Sequence, residues 1–225
     1  IPCMKGRPPP VPPVREQSRQ EARHMSNYVI SISREFGSGG RTIGKEVAKR
    51  LGYEYYDKDL VKMVALETGL DEGFIEQEGE YASGKNILSY IFSSSNRPVM
   101  NGMTMDDFLW VMQRKIVLDI AEKGHCVIVG RCADYILKDR SDCLNVFVHS
   151  SMENRAERIV RLYGESEKSP EKRLEEKDKK RSLYYKRHTG REWGMSQNYN
   201  LSIDSGMFGI DKCVDIILDL AEKDD

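Results

Sequence analysis

Six consecutive residues, Gly37-Ser38-Gly39-Gly40-Arg41-Thr42, combine backbone freedom, a hydroxyl and a fixed positive charge in an order that suits a phosphate group. They lie within Tyr28–Gly52, YVISISREFGSGGRTIGKEVAKRLG, where a β-branched apolar run feeds a glycine-rich turn and then an amphipathic helix. A strand followed by such a turn aims the N-terminus of the next helix outward. Its unpaired amides and the positive end of its dipole then converge on one anion. Glycines let the backbone bend around that anion with no Cβ in the way.

Two frames of the loop compete. A literal G-x-x-x-x-G-K match runs from Gly39 to Gly44 and Lys45, but Glu46 then stands where a Ser or Thr should reach Mg²⁺. The other frame starts the turn after Ser33 and puts Arg41-Thr42 at the helix start. Strand-to-helix length favours the second. In that frame Thr42 supplies the hydroxyl for Mg²⁺, Gly40 stands where the lysine is normally found, and Arg41 is the nearest cation. An arginine there can bridge phosphate oxygens bidentately where a lysine acts as a point charge. The plainer alternative leaves Arg41 and Lys45 as surface contacts one helical turn apart.

The elements that must hold this loop alternate along the chain. Strands are predicted at Val29–Ser33, Glu54–Tyr56, Cys126–Gly130, Leu144–His149 and Asn200–Asp204. Helices are predicted at Thr42–Leu51, from near Lys58 with Asp57 as its cap, at Asp106–Lys123, and after a Ser150-x-x-Glu153 capping box. A further helix follows Ser169-Pro170 as far as about His188, and a last one covers Asp211–Leu220. Alternation of this kind implies right-handed crossovers and a parallel sheet covered on both faces. The fold class is therefore α/β, with insertions at about 68–104 and about 163–198, the second reading as a helical lid.

Hydrophobic residues make up 39% and charged ones 32%, so the chain buries a core under a heavily charged surface. A net charge of −1 gives no global field to draw nucleic acid or anionic lipid, and no apolar stretch is long enough to cross a bilayer. Five cysteines without CxxC spacing read as reduced thiols of a cytoplasmic protein. Residues 1–24 have no structural period and are read as a cloning leader or a disordered proline-rich tail before a domain at 25–225. Arg7, Pro10 and Pro13 match the spacing of an SH3 ligand within that tail.

The motifs SREFGSGG, CVIVGRCADYIL, DKKRSLYYKRHTG and NYNLSIDSG occur in that order and, with their surroundings, span nearly all of Tyr28–Asp225. On them the chain resembles bacterial cytidylate kinases, and more closely the cytidylate kinase-like group, both nucleoside monophosphate kinases of the P-loop class. The resemblance implies a three-layer P-loop NTPase fold with a five-stranded parallel sheet, a monophosphate-binding insertion and a mobile lid. It also implies phosphoryl transfer from ATP with Mg²⁺ to a nucleoside monophosphate, CMP or dCMP first, with small nucleotides as partners.

Residue by residue, Gly37, Ser38, Gly39 and Thr42 match the phosphate loop, and Gly40 replaces its lysine. Asp57 matches the aspartate opening the monophosphate segment, whose arginine falls at Met63. Arg131 matches a substrate-site arginine, with Cys132 in place of its neighbouring aspartate and Asp134 near enough to compensate. Arg155 and Arg158 match lid arginines, and Asp178 is kept, while Lys177, Arg181 and Tyr184 replace an arginine, an aspartate and an arginine. The implied assignment gives Arg41, Arg158 and Arg181 to the transferred phosphoryl, and Asp57, Arg131, Asp134 and Asp178 to the acceptor. The missing lysine keeps two other functions open: a non-catalytic nucleotide- or phosphoanion-binding module, and a kinase for another small molecule.

Overall fold

The computed structural model describes residues 28–72, 98–99 and 103–221. The proline-rich segment and most of the first insertion lie outside these residues. A five-stranded sheet is built from β1 (Val29–Arg34), β2 (Glu54–Tyr56), β5 (Cys126–Val129), β6 (Cys143–His149) and β7 (Leu201–Asp204). Its order is β2-β5-β1-β6-β7 with every pairing parallel, as the alternation of elements requires. β3 (Pro98–Val99) and β4 (Met103–Thr104) form a separate antiparallel pair that the sequence pattern did not predict.

β1 is buried on both faces, so alternate residues feed two cores. Val29 packs with Cys126 and Ile128 beneath α2 (Asp59–Thr68) and α3 (Met105–Lys123), which contribute Leu60, Val64, Ile116 and Ile120. Ile30 and Ile32 pack with Val127, Val129, Val146 and Val148 on the other side. There α1 (Gly40–Leu51) contributes Ile43 and Val47, while α8 (Ile210–Ala221) contributes Val214 and Ile217. The buried positions of α1 recur at helical spacing, and Gly52 ends the helix in a left-handed conformation.

Short α4 (Ala133–Ile136) follows β5, and α5 (Met152–Tyr163) follows β6. α6 (Pro170–Thr189) leads back to β7, and short α7 (Ser205–Phe208) precedes α8. Two predicted caps move. Ser151, not Ser150, caps α5 by accepting from the Asn154 amide, and the Ser150 amide donates instead to the Glu35 carboxylate. The cap position of α2 is Lys58, which makes no side-chain cap bond, and the Asp57 carboxylate before it pairs with Arg34 and Arg41. No helix among the described residues is long and apolar enough to cross a membrane.

Candidate phosphate-binding site

The loop between β1 and α1 runs over the carboxyl end of the central strand, where parallel α/β sheets bind ligands. Only five residues, 35–39, separate Arg34 from Gly40, so the short frame is the one the chain adopts. The long frame fails for a packing reason. Gly44 is buried at the sheet, where an added Cβ would meet Val129 and Ile32, and the Lys45 ammonium lies over the Tyr55 ring. Gly39 precedes α1 at φ 86° and offers no side-chain cap, and no acidic residue occupies the first turn. An α-helix leaves its first amides without partners of its own, so this end is suited to an anion.

Ser38 is buried and serves the loop itself. Its hydroxyl lies 2.9 Å from the Glu35 carbonyl and 3.0 Å from that of Val148, which share its proton. Gly37 (φ 84°) lies against the Arg155 carbonyl, where a Cβ would come within 2.9 Å. Phe36 is held between rings and charge, stacked on Tyr163 at 6.0 Å with the Arg181 guanidinium 5.7 Å from its centroid. These contacts fix the loop's curvature without any ligand.

Arginines surround the loop. The Arg41 Nε lies 2.7 Å from Asp57 Oδ2, and an Arg34 nitrogen lies 3.6 Å from Asp57 Oδ1. Arg158 Nη2 donates to Thr42 Oγ1 at 2.9 Å. Arg181 Nη1 donates to the Arg34 carbonyl at 3.2 Å and to Asp178 at 3.3 Å. Arg155 pairs with Glu35 at 3.3 Å and donates to Asp178, whose other oxygen accepts the Phe36 amide at 2.7 Å. Four guanidiniums, those of Arg34, Arg41, Arg155 and Arg181, thus meet three carboxylates, Glu35, Asp57 and Asp178, while a fifth, that of Arg158, meets the Thr42 hydroxyl.

Burial and neighbouring charge shift several groups around the loop. Lys177 is held below its ordinary value, first by burial and then by repulsion from Arg181 and Arg41. Arg158 is lowered by burial and then by Arg161. Burial raises the Glu35 carboxyl, against the pull of the Ser150 amide and Arg155.

The loop encloses a cavity of about 50 Å³ lined by Arg34, Arg41, Thr42, Arg158 and Arg181. Arg41 also borders a space of about 270 Å³ beside Lys177 and Arg173, and one of about 500 Å³ beside Asp57, Lys58 and Lys49. It therefore stands between two cation-rimmed openings.

Several sequence-predicted residues are placed differently from the expectation. Arg181 was expected on an exposed lid; it is 7% exposed and seated against the end of β1. α6 has few aliphatic residues but buries Leu174, Arg181, Tyr184 and Tyr185, so its contact is made by long amphipathic side chains. The described oxygens of Asp178 face Phe36, Arg155 and Arg181, which makes it a brace between α6 and the loop. Arg131 and Asp134 follow the carboxyl end of β5, the strand that pairs with β1. Arg131 is 3% exposed and in a left-handed conformation (φ 59°), with its carbonyl accepting from Gln113 Nε2. Asp134 accepts from the Tyr185 hydroxyl at 2.7 Å. Sequence reasoning missed Arg34 and Glu35; the available signal was a charged pair closing an otherwise apolar strand.

A family model described as the cytidylate kinase-like family matches residues 29–207. A curated protein from Aeropyrum pernix, named cytidylate kinase, is 25% identical over 193 residues, covering 85% of this chain and 98% of that protein. Among solved structures, an uncharacterized protein from Eubacterium ventriosum superposes with a TM-score of 0.65 at 25% identity, over 88% of this chain and 99% of the other. A shikimate kinase from Bacteroides thetaiotaomicron reaches a TM-score of 0.51 at 14% identity, over 88% of this chain and 99% of the other, a likeness of fold alone. The architecture is that of the P-loop NTPases.

Proposed function

The chain belongs to the cytidylate kinase-like family, and on that premise we propose that it transfers a phosphoryl group from ATP to a nucleoside monophosphate. The observation that carries the reading is the uncapped N-terminus of α1 ringed by five arginines at the carboxyl end of a parallel sheet. Phosphoryl transfer needs little covalent help. It needs two polyanions held in line and charge neutralised on the transferring group.

The loop amides and Arg41 hold the donor's phosphates. Arg158 and Arg181 approach the transferring group from α5 and α6. Asp57 orients Arg41, and Arg131 and Asp134 position the acceptor at the end of β5. Asp178 serves the site indirectly, by keeping Arg155 and Arg181 in place. Magnesium, when bound, neutralises charge between the donor's phosphate oxygens. The residues present fit it: Thr42 offers a hydroxyl oxygen that already accepts from a cation, and magnesium fills most of its shell with phosphate oxygens and water. Arg158 must leave Thr42 Oγ1 for that hydroxyl to be used. Cytidine monophosphate is the first acceptor to try, given the family's description and the Aeropyrum relative.

One observation favours a second reading, nucleotide binding without transfer: Gly40 occupies the place of the usual lysine. ADP formation from ATP and Mg²⁺, measured with CMP, dCMP, UMP, AMP, GMP and no acceptor, separates the two. Acceptor-dependent ADP, greatest with a cytidine nucleotide, is expected. No ADP with any acceptor, while ATP still raises the melting temperature, would favour the binding module.

A further inference from the structure

We propose that Arg34, at the end of β1, takes the missing lysine's part as a phosphate-binding cation beside Arg41, and that position 40 is glycine because the Arg34 side chain fills the path a lysine stem would take. The proposal rests on the phosphotransferase reading and deepens it.

Gly40 is not required by the backbone. It opens α1 without the positive φ of Gly37 and Gly39. What it provides is space: a Cβ there would stand 2.5 Å from Arg34 Cβ and 2.9 Å from Arg34 Cγ, closer than side chains approach. A stem at position 40 and the arginine at position 34 therefore exclude one another. In a conventional phosphate loop the lysine comes from the first helical turn and reaches the β- and γ-phosphates. Here the same ground is entered from the strand side. The Arg34 side chain is 4% exposed and lines the loop cavity with Arg41, Arg158 and Arg181.

Charge points the same way. Arg34 stands 3.6 Å from Asp57, which also pairs with Arg41 at 2.7 Å, so two permanent cations share this carboxylate. Arg34's own carbonyl accepts from Arg181, which brings a third guanidinium to the same strand end. A buried arginine so placed offers a rigid fork of donors to an incoming phosphate, while Asp57 keeps it extended beforehand.

The test is relocation of the charge. Arg34→Ala is expected to lower turnover at least about a hundredfold and to abolish the rise in melting temperature caused by inorganic tripolyphosphate. Gly40→Lys alone is expected to be inactive or unstable because of the clash with Arg34. Arg34→Gly/Gly40→Lys, which restores the conventional arrangement, is expected to recover turnover at least tenfold above either single variant, a non-additivity that close neighbours produce. A structural ion pair with Asp57 predicts no such rescue.

Unchanged turnover and tripolyphosphate response in Arg34→Ala would overturn the proposal. So would a double variant no better than Gly40→Lys, and this second criterion decides alone if Arg34→Ala proves too unstable to assay. If the wild type forms no ADP with any acceptor yet its tripolyphosphate response depends on Arg34, the transferase reading fails and the cation assignment stands.

Discussion

At the scale of single residues the site is a set of positive groups held close together before any anion arrives. Arg158 is the clearest case, since it sits on the Thr42 hydroxyl proposed for magnesium, and its guanidinium has no carboxylate partner among the pairs that hold the other loop arginines. It should therefore move when the donor binds and meet the transferring group. Arg158→Ala is expected to reduce kcat about a thousandfold, as loss of an arginine finger does, with the affinity for ATP changed far less. Stopped-flow binding and steady-state turnover measured together check this; a loss confined to affinity would make Arg158 an ordinary binding group. Sequence made the loop legible because glycine, hydroxyl and helix start each have a local signature. Arg34 was not legible, because its meaning depends on a contact with Gly40 that only the folded strand and helix create.

Among the elements, strands announced themselves most plainly. CVIV is apolar on both faces and the VISIS run has Ile30 and Ile32 on one, and they became central strands within a residue of the expected bounds. α6 was harder to read, since its charged composition suggested a lid with exposed cations, whereas Arg181 is buried along with Tyr184 and Tyr185. One consequence is pH sensitivity where α6 meets α3. His188 stacks on Trp110 at 4.5 Å and meets Tyr184 edge-on at 4.4 Å, and its Nε2 lies 3.6 Å from the buried Asp106. Burial, then repulsion from Arg187, lowers its pKa to about 4 despite the opposing pull of Asp107. It is thus neutral in the folded state at neutral pH, and the contact with Asp106 is not an ion pair there. The unfolded chain binds the proton more readily between about 6.5 and about 4. Stability must then fall as pH drops through that window, by about 3 kcal/mol if the whole shift is expressed. Melting scans from pH 7 to pH 5 are expected to decline by several degrees more in wild type than in His188→Gln. Parallel slopes would show that the contact does not carry the titration.

Over the whole molecule a net charge of −1 conceals a strong asymmetry, with a cation-rich loop on a chain that is close to neutral. Composition could exclude broad attraction to nucleic acid, but it could not locate the charge; folding does that by bringing β1, α1, α5 and α6 together at the carboxyl end of the sheet. Arg131 and Asp134, the groups proposed for the acceptor, stand at the end of the neighbouring strand β5, braced by Gln113 and Tyr185. Adjacent strand ends of a parallel sheet, one carrying the loop and the other Arg131, suit a donor and an acceptor lying end to end. The measurement that tests this most directly is calorimetric affinity for three ligands: ATP with magnesium, CMP, and an adenosine and a cytidine joined through a five-phosphate bridge. One ligand filling both places gains the advantage of an intramolecular second contact. The joined ligand is expected to bind at least about a hundredfold tighter than ATP, whereas equal affinities would contradict a single site built to hold both partners of a phosphoryl transfer.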